Sequence, residues 1–278
     1  MTTSHPRTVC ETLGVAGSLI SGDAEFHDST QTPSDLRTGI DLGTATCVIV
    51  VVDAAGHPVW IDVEATAAIR DGVVVDFAGA AAATRRLKAA AEQALGVDLR
   101  DAATAFPPCV GVAESRACRF VLEAADFEEV VLLDEVTAAN NTLEISDGVV
   151  VDVGGGSTGV GVFRDGELQA LDDRAGGGHH LDLILSGALG VDLAEAEELK
   201  RTGSDSEYLP ILRPGFERIA QNIAELTRGA EELDIHLAGG ALMYPGADTA
   251  IAKYLDRPVH TYPHANLITP LGIARSAP

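Results

Sequence analysis

The sequence has few cysteines, few aromatic residues and few basic residues, and these shortages exclude several classes of protein. The four cysteines form no C-x-x-C pair and stand beside no histidine cluster, which argues against a zinc site or a disulfide framework and favours reduced thiols. Only 19 lysines and arginines face 42 aspartates and glutamates, so the net charge is −23. Because such a surface repels phosphate backbones and anionic lipids, we expect neither a nucleic-acid partner nor a membrane partner.

Long apolar runs and a secretory signal are also missing. No apolar stretch reaches the roughly 18 residues that a membrane span requires. The first 37 residues do not show the charged-then-apolar order of a secretory signal. A hydrophobic content of 46% is nevertheless ample for a packed core, and 278 residues suit two domains of roughly 100–150 residues each. These features predict a globular, cytoplasmic protein.

Two segments share one pattern, in which an apolar run ends at an aspartate, turns through glycines and continues as a second apolar run. They are GIDLGTATCVIVVVD at 39–53 and VVVDVGGGSTGVGVF at 149–163. Glycine lets the backbone approach a ligand closely, and successive amides in such a turn form a nest for anions. The aspartates at the strand ends, Asp41 and Asp152, suit a hydrated cation beside a phosphate. The pattern predicts two phosphate loops that face each other across a cleft.

Other interpretations of the glycines fit less well. Gly154-x-Gly156-x-x-Gly159 matches the bare dinucleotide fingerprint, but an alternating, hairpin-like segment follows it instead of the required helix. The sequence contains no G-x-x-x-x-G-K-[ST], which excludes the P-loop class. Two tight β-turns without a ligand remain an alternative. A third glycine pair, Gly239-Gly240, follows another predicted strand and weighs against that alternative.

The order of predicted elements, β-β-β-α-β-α, occurs twice along the chain and indicates two similar α/β halves. Before the first half, residues 9–20 have an apolar side at roughly helical spacing. This segment is either a leader docked on the body of the protein or a short amphipathic helix that docks a partner.

The motifs resemble those of the actin, Hsp70 and sugar-kinase ATPases. GIDLGTAT is similar to their first phosphate loop and VVDVGGGSTGVGV to their second. The segments 133–141 and 268–274 resemble the two connecting helices, and 237–246 resembles the adenosine-binding turn. Segment 69–77 is similar to one found in bacterial actin homologues.

Within this superfamily the chain resembles the ethanolamine-utilisation J proteins of bacterial microcompartment operons. The stretches that carry the likeness are ATAFPP, LDEVTAAN, AGGGHHLDL, LAEAEELKR and ITPLGIARS. The resemblance implies an α/β, duplicated actin-like ATPase fold of the ribonuclease H-like type, with two lobes around a nucleotide cleft. We expect a flexible leader over 1–37, a first lobe over 38–146 to which 266–278 returns, and a second lobe over 147–265.

The resemblance also implies roles for individual residues around bound ATP or ADP. Asp41 and Asp152 would hold Mg²⁺ through water molecules, and Glu135 would position the attacking water, so these three form the predicted catalytic set. The remaining residues expected to contact the nucleotide are Gly43, Thr44, Gly154, Gly155, Gly156, Ser157, Gly177, Gly178, Glu197, Lys200, Gly239 and Gly240.

The function implied by the resemblance is that of an ATP-binding, Hsp70-like chaperone or assembly factor in ethanolamine utilisation, with a weak Mg²⁺-dependent ATPase. Its partners would be ethanolamine ammonia-lyase or the shell and cargo proteins of a bacterial microcompartment, with which it would associate. Two departures weaken the case for hydrolysis: Ala45 replaces a hydroxyl residue, and no lysine matches the catalytic lysine of Hsp70 proteins. The alternatives are a nucleotide-dependent scaffold without turnover and a small-molecule kinase of the same superfamily.

Overall fold

The computed structural model describes residues 6–21, 35–70, 73–108, 110–203 and 206–278 of the chain. The chain divides into two compact units, Met1–Glu144 together with Leu267–Pro278, and Ile145–Asn266. The first unit is therefore built from two separate segments of the chain, and the second unit from one continuous segment.

Helices and strands follow one another in an order that repeats once along the chain. In chain order they are α1 (Pro6–Ser21), β1 (Arg37–Leu42), β2 (Thr46–Val52), β3 (Pro58–Ala65), β4 (Ile69–Arg70), β5 (Val73–Val74), α2 (Phe77–Leu95), β6 (Asp101–Phe106), α3 (Val112–Ala124), β7 (Glu129–Asp134), α4 (Glu135–Leu143), β8 (Gly148–Val153), β9 (Ser157–Arg164), β10 (Glu167–Ala175), α5 (Gly178–Leu189), α6 (Leu193–Thr202), α7 (Leu209–Leu226), β11 (Ile235–Ala238), α8 (Ala247–Leu255), β12 (Val259–His260) and α9 (Ile268–Arg275).

Each unit contains a five-stranded mixed sheet with the same topology. The strand order is β3-β2-β1-β6-β7 in the first unit and β10-β9-β8-β11-β12 in the second. In both sheets the first three strands of the unit are antiparallel, and the last two run parallel to the first. The β4–β5 pair is an addition to the first unit. The repeated topology agrees with the duplicated order of elements in the sequence.

The ends of α2 show how local sequence sets the limits of an element. The Asp76 carboxylate accepts a hydrogen bond from the Gly79 amide (2.9 Å) at the first turn. At the other end Gly96 adopts a left-handed conformation with φ of 68°, and its amide donates to the Glu92 carbonyl oxygen. An acidic N-cap and a left-handed glycine are standard start and stop signals for a helix, and the local sequence of α2 contains both.

The first unit includes α1, which corrects part of the predicted flexible leader. α1 packs against β3, with Leu13 and Ala16 fully buried and Val9 6% exposed. These residues occupy positions i, i+4 and i+7 of the helix, so they form a single apolar face that is covered by docking. Residues 6–21 are therefore an ordered part of the first unit, whereas 22–34 lie outside the described residues.

The C-terminal segment joins the first unit through very close packing of α9. A β-carbon on Gly272 would overlap the Ala138 carbonyl group of α4, and one on Gly39 would overlap the backbone of Ala274. Glycine at these positions lets α9 contact both α4 and β1 directly. None of the helices in the described part of the chain is long and apolar enough to cross a bilayer.

Candidate functional site

The first predicted phosphate loop joins β1 to β2 in the first unit. The half-buried Asp41 pairs with Val48 near the end of β1. The Gly43 amide donates to the Thr46 carbonyl oxygen (2.9 Å), and a β-carbon on Gly43 would lie only 2.8 Å from that oxygen. The turn therefore requires glycine at this position, and Thr44 follows it within the loop.

The predicted water-positioning acid lies at the same edge of the first sheet as this loop. Ile40 of β1 pairs with Thr104 of β6, which pairs with Leu132 of β7. Because the three strands are parallel, their carboxyl ends meet at one edge, where α/β proteins bind ligands. Asp41 directly follows the paired residue of β1, and the half-buried Glu135 is the first residue of the helix after β7.

A buried thiol links Asp41 and Glu135 electrostatically. Burial, followed by the negative charges of Glu135 and then Asp41, raises the pKa of Cys118 to about 11. Burial and the charge of Asp41 also contribute to raising the pKa of Cys47 to about 12, against the effect of a hydrogen bond with Thr84. Both thiols stay protonated at neutral pH and are poor nucleophiles. Both carboxylates thus affect the same buried thiol of the first unit.

The second predicted phosphate loop joins β8 to β9 in the second unit. Asp152 is 6% exposed, and the Gly154 amide donates to the Ser157 carbonyl oxygen (3.2 Å). The three successive carbonyl oxygens of the loop accept hydrogen bonds from the segment that begins α5. The pairs are Gly178 N to Gly154 O (2.9 Å), His179 N to Gly155 O (2.8 Å) and Gly176 N to Gly156 O (3.0 Å).

The predicted pair Gly177-Gly178 lies directly on this loop. A β-carbon on Gly177 would overlap the Gly154 carbonyl oxygen and lie 2.9 Å from that of Gly155. Any side chain there would separate α5 from the loop. The Gly177-Gly178 pair therefore packs against the carbonyl side of the loop. The sequence had predicted only that the pair lies near the nucleotide.

Lys200 and Glu197, the two predicted nucleotide contacts on α6, are placed differently from each other. The Lys200 ammonium group lies 2.6 Å from an Asp182 carboxylate oxygen and donates to the Gly178 carbonyl oxygen (2.9 Å). The side chains of Lys200 and Asp182 are only 15% and 9% exposed. Lys200 therefore ties α6 to the start of α5, whereas Glu197 lies on the exposed side of α6.

The pair Gly239-Gly240 lies next to Asp152. Ala238 at the end of β11 pairs with Asp152, and Gly239 continues with φ of 91°. A β-carbon on Gly239 would lie 2.6 Å from an Asp152 carboxylate oxygen. The structure thus brings together, within the second unit, most of the residues that the sequence assigned to it: Asp152, Gly154, Gly155, Gly156, Ser157, Gly177, Gly178, Lys200, Gly239 and Gly240.

One acidic residue beside the second loop was missed by the sequence analysis. Asp173 of β10 pairs with Gly159 of β9, and Gly159 also pairs with Asp152 on its other side. Burial, and to a lesser extent the charges of Asp172 and Asp152, raise the pKa of Asp173 to about 6, although a hydrogen bond from Ser157 lowers it. Asp173 lies near the end of β10, which runs to Ala175.

The donor set can accommodate a hydrated magnesium ion. Among the described residues no group of three or more histidines, cysteines or acidic residues has the geometry of a metal site. Magnesium, however, keeps several water molecules and needs only one or two carboxylates besides phosphate oxygens. A strand-end aspartate beside a glycine turn, as at Asp41 and Asp152, provides that limited set.

One cavity of the second unit does not belong to this site. It has a volume of about 340 Å³ in the second unit and shares no lining residue with the predicted set. It lies along one face of α7 and one face of α8, with Leu209 and Ala250 in its lining.

Comparisons with known proteins agree with the fold and with the motifs. No protein-family model matches the chain. The chain is 38% identical to the ethanolamine utilization protein EutJ of Salmonella typhimurium over 251 residues, and this aligned region covers 88% of each sequence. The crystal structure of EutJ from Carboxydothermus hydrogenoformans has a TM-score of 0.90 at 36% identity, over 96% of this chain and 98% of that one.

A more distant structural match comes from a bacterial actin homologue. The crystal structure of MreB5 of Spiroplasma citri bound to AMPPNP has a TM-score of 0.70 at 16% identity, over 87% of this chain and 95% of that chain. At this identity the match bears on the fold alone. It confirms the predicted α/β class and the actin-like ATPase fold.

Proposed function

We propose that this chain, which belongs to the EutJ family of ethanolamine utilisation proteins, binds Mg²⁺-ATP and that its second glycine loop binds phosphate. Family membership confirms the predicted resemblance. We infer the nucleotide, the magnesium ion and the residues that would hold them from the geometry of the loops and from the actin-like fold. MreB5, which shares this fold, was crystallised bound to AMPPNP.

The observation that carries this proposal is the arrangement of peptide groups in the second loop. The carbonyl oxygens of Gly154, Gly155 and Gly156 all accept hydrogen bonds from the segment leading into α5. This fixes the three peptide planes, and within the described residues the amides of Gly155 and Gly156 donate to no carbonyl oxygen. Two successive fixed amides that donate to no carbonyl oxygen form a nest suited to a phosphate group.

The acidic residues next to the loops fit a cation better than they fit the phosphate itself. Asp41 and Asp152 would repel a phosphate group directly, so their positions at the strand ends favour contact through a hydrated Mg²⁺ ion. A bound magnesium ion would neutralise part of the phosphate charge. Gly43 and Thr44 would contact a phosphate in the first unit, and Gly239-Gly240 would lie under the base and ribose.

Hydrolysis of the bound nucleotide requires a group that orients water toward the terminal phosphate. Glu135 is suited to this because it is half-buried at the first turn of α4, close enough to Asp41 for both to act on Cys118. Phosphoryl transfer depends mainly on positioning and charge neutralisation, so one acid, amides and a metal are sufficient for slow turnover. The predicted chaperone or assembly role for ethanolamine ammonia-lyase or a microcompartment rests on family membership alone.

Calorimetry with the full chain tests nucleotide binding directly. We expect Mg²⁺-ATP to bind, excess EDTA to abolish binding, and Asp152→Ala to weaken it at least tenfold without unfolding the protein. Glu225→Gln, at an exposed position of α7 outside the predicted set, serves as a matched control for the loss of one carboxylate. Equal affinity in the wild type and Asp152→Ala would contradict the proposed site.

Phosphate release separates the enzymatic proposal from the scaffold alternative. We expect slow release that Glu135→Gln reduces while leaving Mg²⁺-ATP affinity within about twofold of wild type, because the carboxylate would act on water rather than on the nucleotide. Binding without any phosphate release would identify a nucleotide-dependent scaffold.

A further inference from the structure

The cavity along α7 and α8 in the second unit has the size and the lining of a small-molecule site. Its volume is about 340 Å³, and protein sites for small organic molecules are clefts of roughly 300–1,000 Å³. The lining residues of α7 are four positions apart, so they share one face of that helix: Leu209, Arg213 and Glu217. Those of α8 likewise follow one face of their helix, and they include Ala250, Lys253 and Tyr254.

The lining changes from apolar to charged along the two helices. Gly246, directly before α8, approaches Leu209, the first residue of α7, so closely that a β-carbon on the glycine would lie 2.8 Å from the leucine side chain. The helices therefore touch where both begin. Arg213 lies about one turn further along α7, and Lys253 about two turns further along α8. A ligand can thus place an apolar group near Leu209 and a negative group near the two cations.

The two cations of this cavity are available to a ligand. Arg213 and Lys253 are exposed, and within the described residues neither forms a hydrogen bond or an ion pair. The other two lysines of this acidic chain, Lys88 and Lys200, are held by carboxylates and carbonyl oxygens. Glu217, the acid of the lining, pairs with neither cation in the described part of the chain. An incoming anion therefore has no internal partner to displace.

The chemistry of the lining selects an acid with one negative group and a small apolar body. A carboxylate can accept two parallel N–H groups from an arginine, and a nearby lysine adds a point charge. The apolar end of the cavity and the ring of Tyr254, a residue that is 47% exposed, can pack against a hydrocarbon or aromatic group. Glu217 disfavours a second negative group by repulsion.

We propose that this cavity binds an organic monocarboxylate of about the size of phenylacetate, with the carboxylate group on Arg213 and Lys253 and the apolar body toward Leu209. The site shares no residue with the second phosphate loop and uses neither a nucleotide nor a metal ion. Failure of nucleotide binding would therefore leave this site intact.

The probe is 4-fluorophenylacetate, and fluorine NMR titration of the full chain measures its binding. We expect 4-fluorophenylacetamide, which has the same shape but no charge, to bind about tenfold more weakly. Arg213→Met is expected to weaken binding of the acid about tenfold, and Lys253→Met about threefold, because only arginine offers paired donors. Arg218→Met is the matched control, since Arg218 is exposed on the same helix, bonds to Gln221 and lies outside the cavity lining. That control is expected to stay within about twofold of the wild type.

Two further variants test the chemistry of the lining. Glu217→Gln removes the repelling charge and is expected to tighten binding about threefold. Arg213→Lys keeps the charge without the fork, so its affinity is expected to fall between those of the wild type and Arg213→Met. It also replaces Arg213→Met as the test variant if that chain does not unfold at the wild-type temperature.

Three results would overturn the site. The first is the absence of binding at about 10 mM probe, which is weaker than the affinity of even simple small-molecule sites. The second is equal binding of the acid and the amide, or equal affinity in Arg213→Met and the Arg218→Met control. The third is a probe affinity that falls in Asp152→Ala or on addition of Mg²⁺-ATP, which would place the acid in the phosphate loop instead.

Discussion

Replacing Lys200 by methionine tests whether this residue is a structural tether within the second unit. The substitution keeps the length of the side chain but removes its ion pair with Asp182 (2.6 Å) and its hydrogen bond to the Gly178 carbonyl oxygen (2.9 Å). The carboxylate left behind is 9% exposed. Removing one partner of a buried pair leaves an uncompensated charge and destabilises a protein by about 3 kcal/mol.

A loss of this size is expected to lower the unfolding temperature by roughly 6–12 °C in a chain of this length, as measured by calorimetry. The neighbouring Arg201→Met is the control, because its ion pair with Glu198 is exposed and contributes at most about 1 kcal/mol. The double variant Lys200→Met/Asp182→Leu removes both charges, so we expect it to recover most of the lost stability. Additive losses in the double variant, or a Lys200→Met chain as stable as the control, would refute the tether.

Three further predictions concern other parts of the fold. Gly239→Ala places a β-carbon against the second loop at φ of 91°, so urea unfolding is expected to show a stability loss above about 2 kcal/mol. The control Gly96→Ala, where φ is 68° and the space around the β-carbon is open, is expected to lose about 1 kcal/mol. Leu13→Ala is expected to destabilise the chain by about 2–4 kcal/mol because Leu13 is fully buried. The control Val15→Ala, at a position 50% exposed, is expected to change stability by less than about 0.5 kcal/mol. Equal losses in the two variants would mean that α1 is not docked. Because burial raises the pKa of Asp173 to about 6, its charged form destabilises the fold above about pH 6, and this penalty disappears as the pH falls toward 3.8. Asp173→Asn is therefore expected to stabilise the protein by about 1 kcal/mol at pH 7.5, after allowance for solvent screening, and not at pH 4. Equal effects at both pH values would contradict this expectation.

Much of the fold could be predicted because its local signals are unambiguous. α2 and α4 begin with capping aspartates, Asp76 and Asp134, that accept hydrogen bonds from backbone amides three residues later. The hairpin between β9 and β10 turns at Asp165-Gly166, both with positive φ, as an Asp-Gly pair in such a turn indicates. In these places propensity, capping and hydrophobic pattern all favour the same structure.

The second glycine loop could also be located from the sequence, but the environment of its neighbours could not. Asp173 was missed because β10 is exposed or half-buried along its whole length and lacks a clean alternation of apolar and polar residues. Its pairing with Gly159 is a non-local property of the sheet. The apolar face of α1 was visible in the sequence, but the sequence could not tell whether that face packs against the rest of this chain or against a partner.

Lys200 shows most clearly why a motif does not determine what a side chain contacts. Its position on α6 matches a helix that contacts adenosine in related ATPases, yet its ammonium group is already paired with Asp182 and Gly178. In a chain of net charge −23, a cation held in this way is not free to neutralise phosphate. Under the proposed function, the charge of a bound triphosphate would then be balanced chiefly by loop amides and by a metal ion held through Asp152, since both are independent of lysine. We therefore expect the proposed site to require the metal for binding, as the loss of binding in excess EDTA would show.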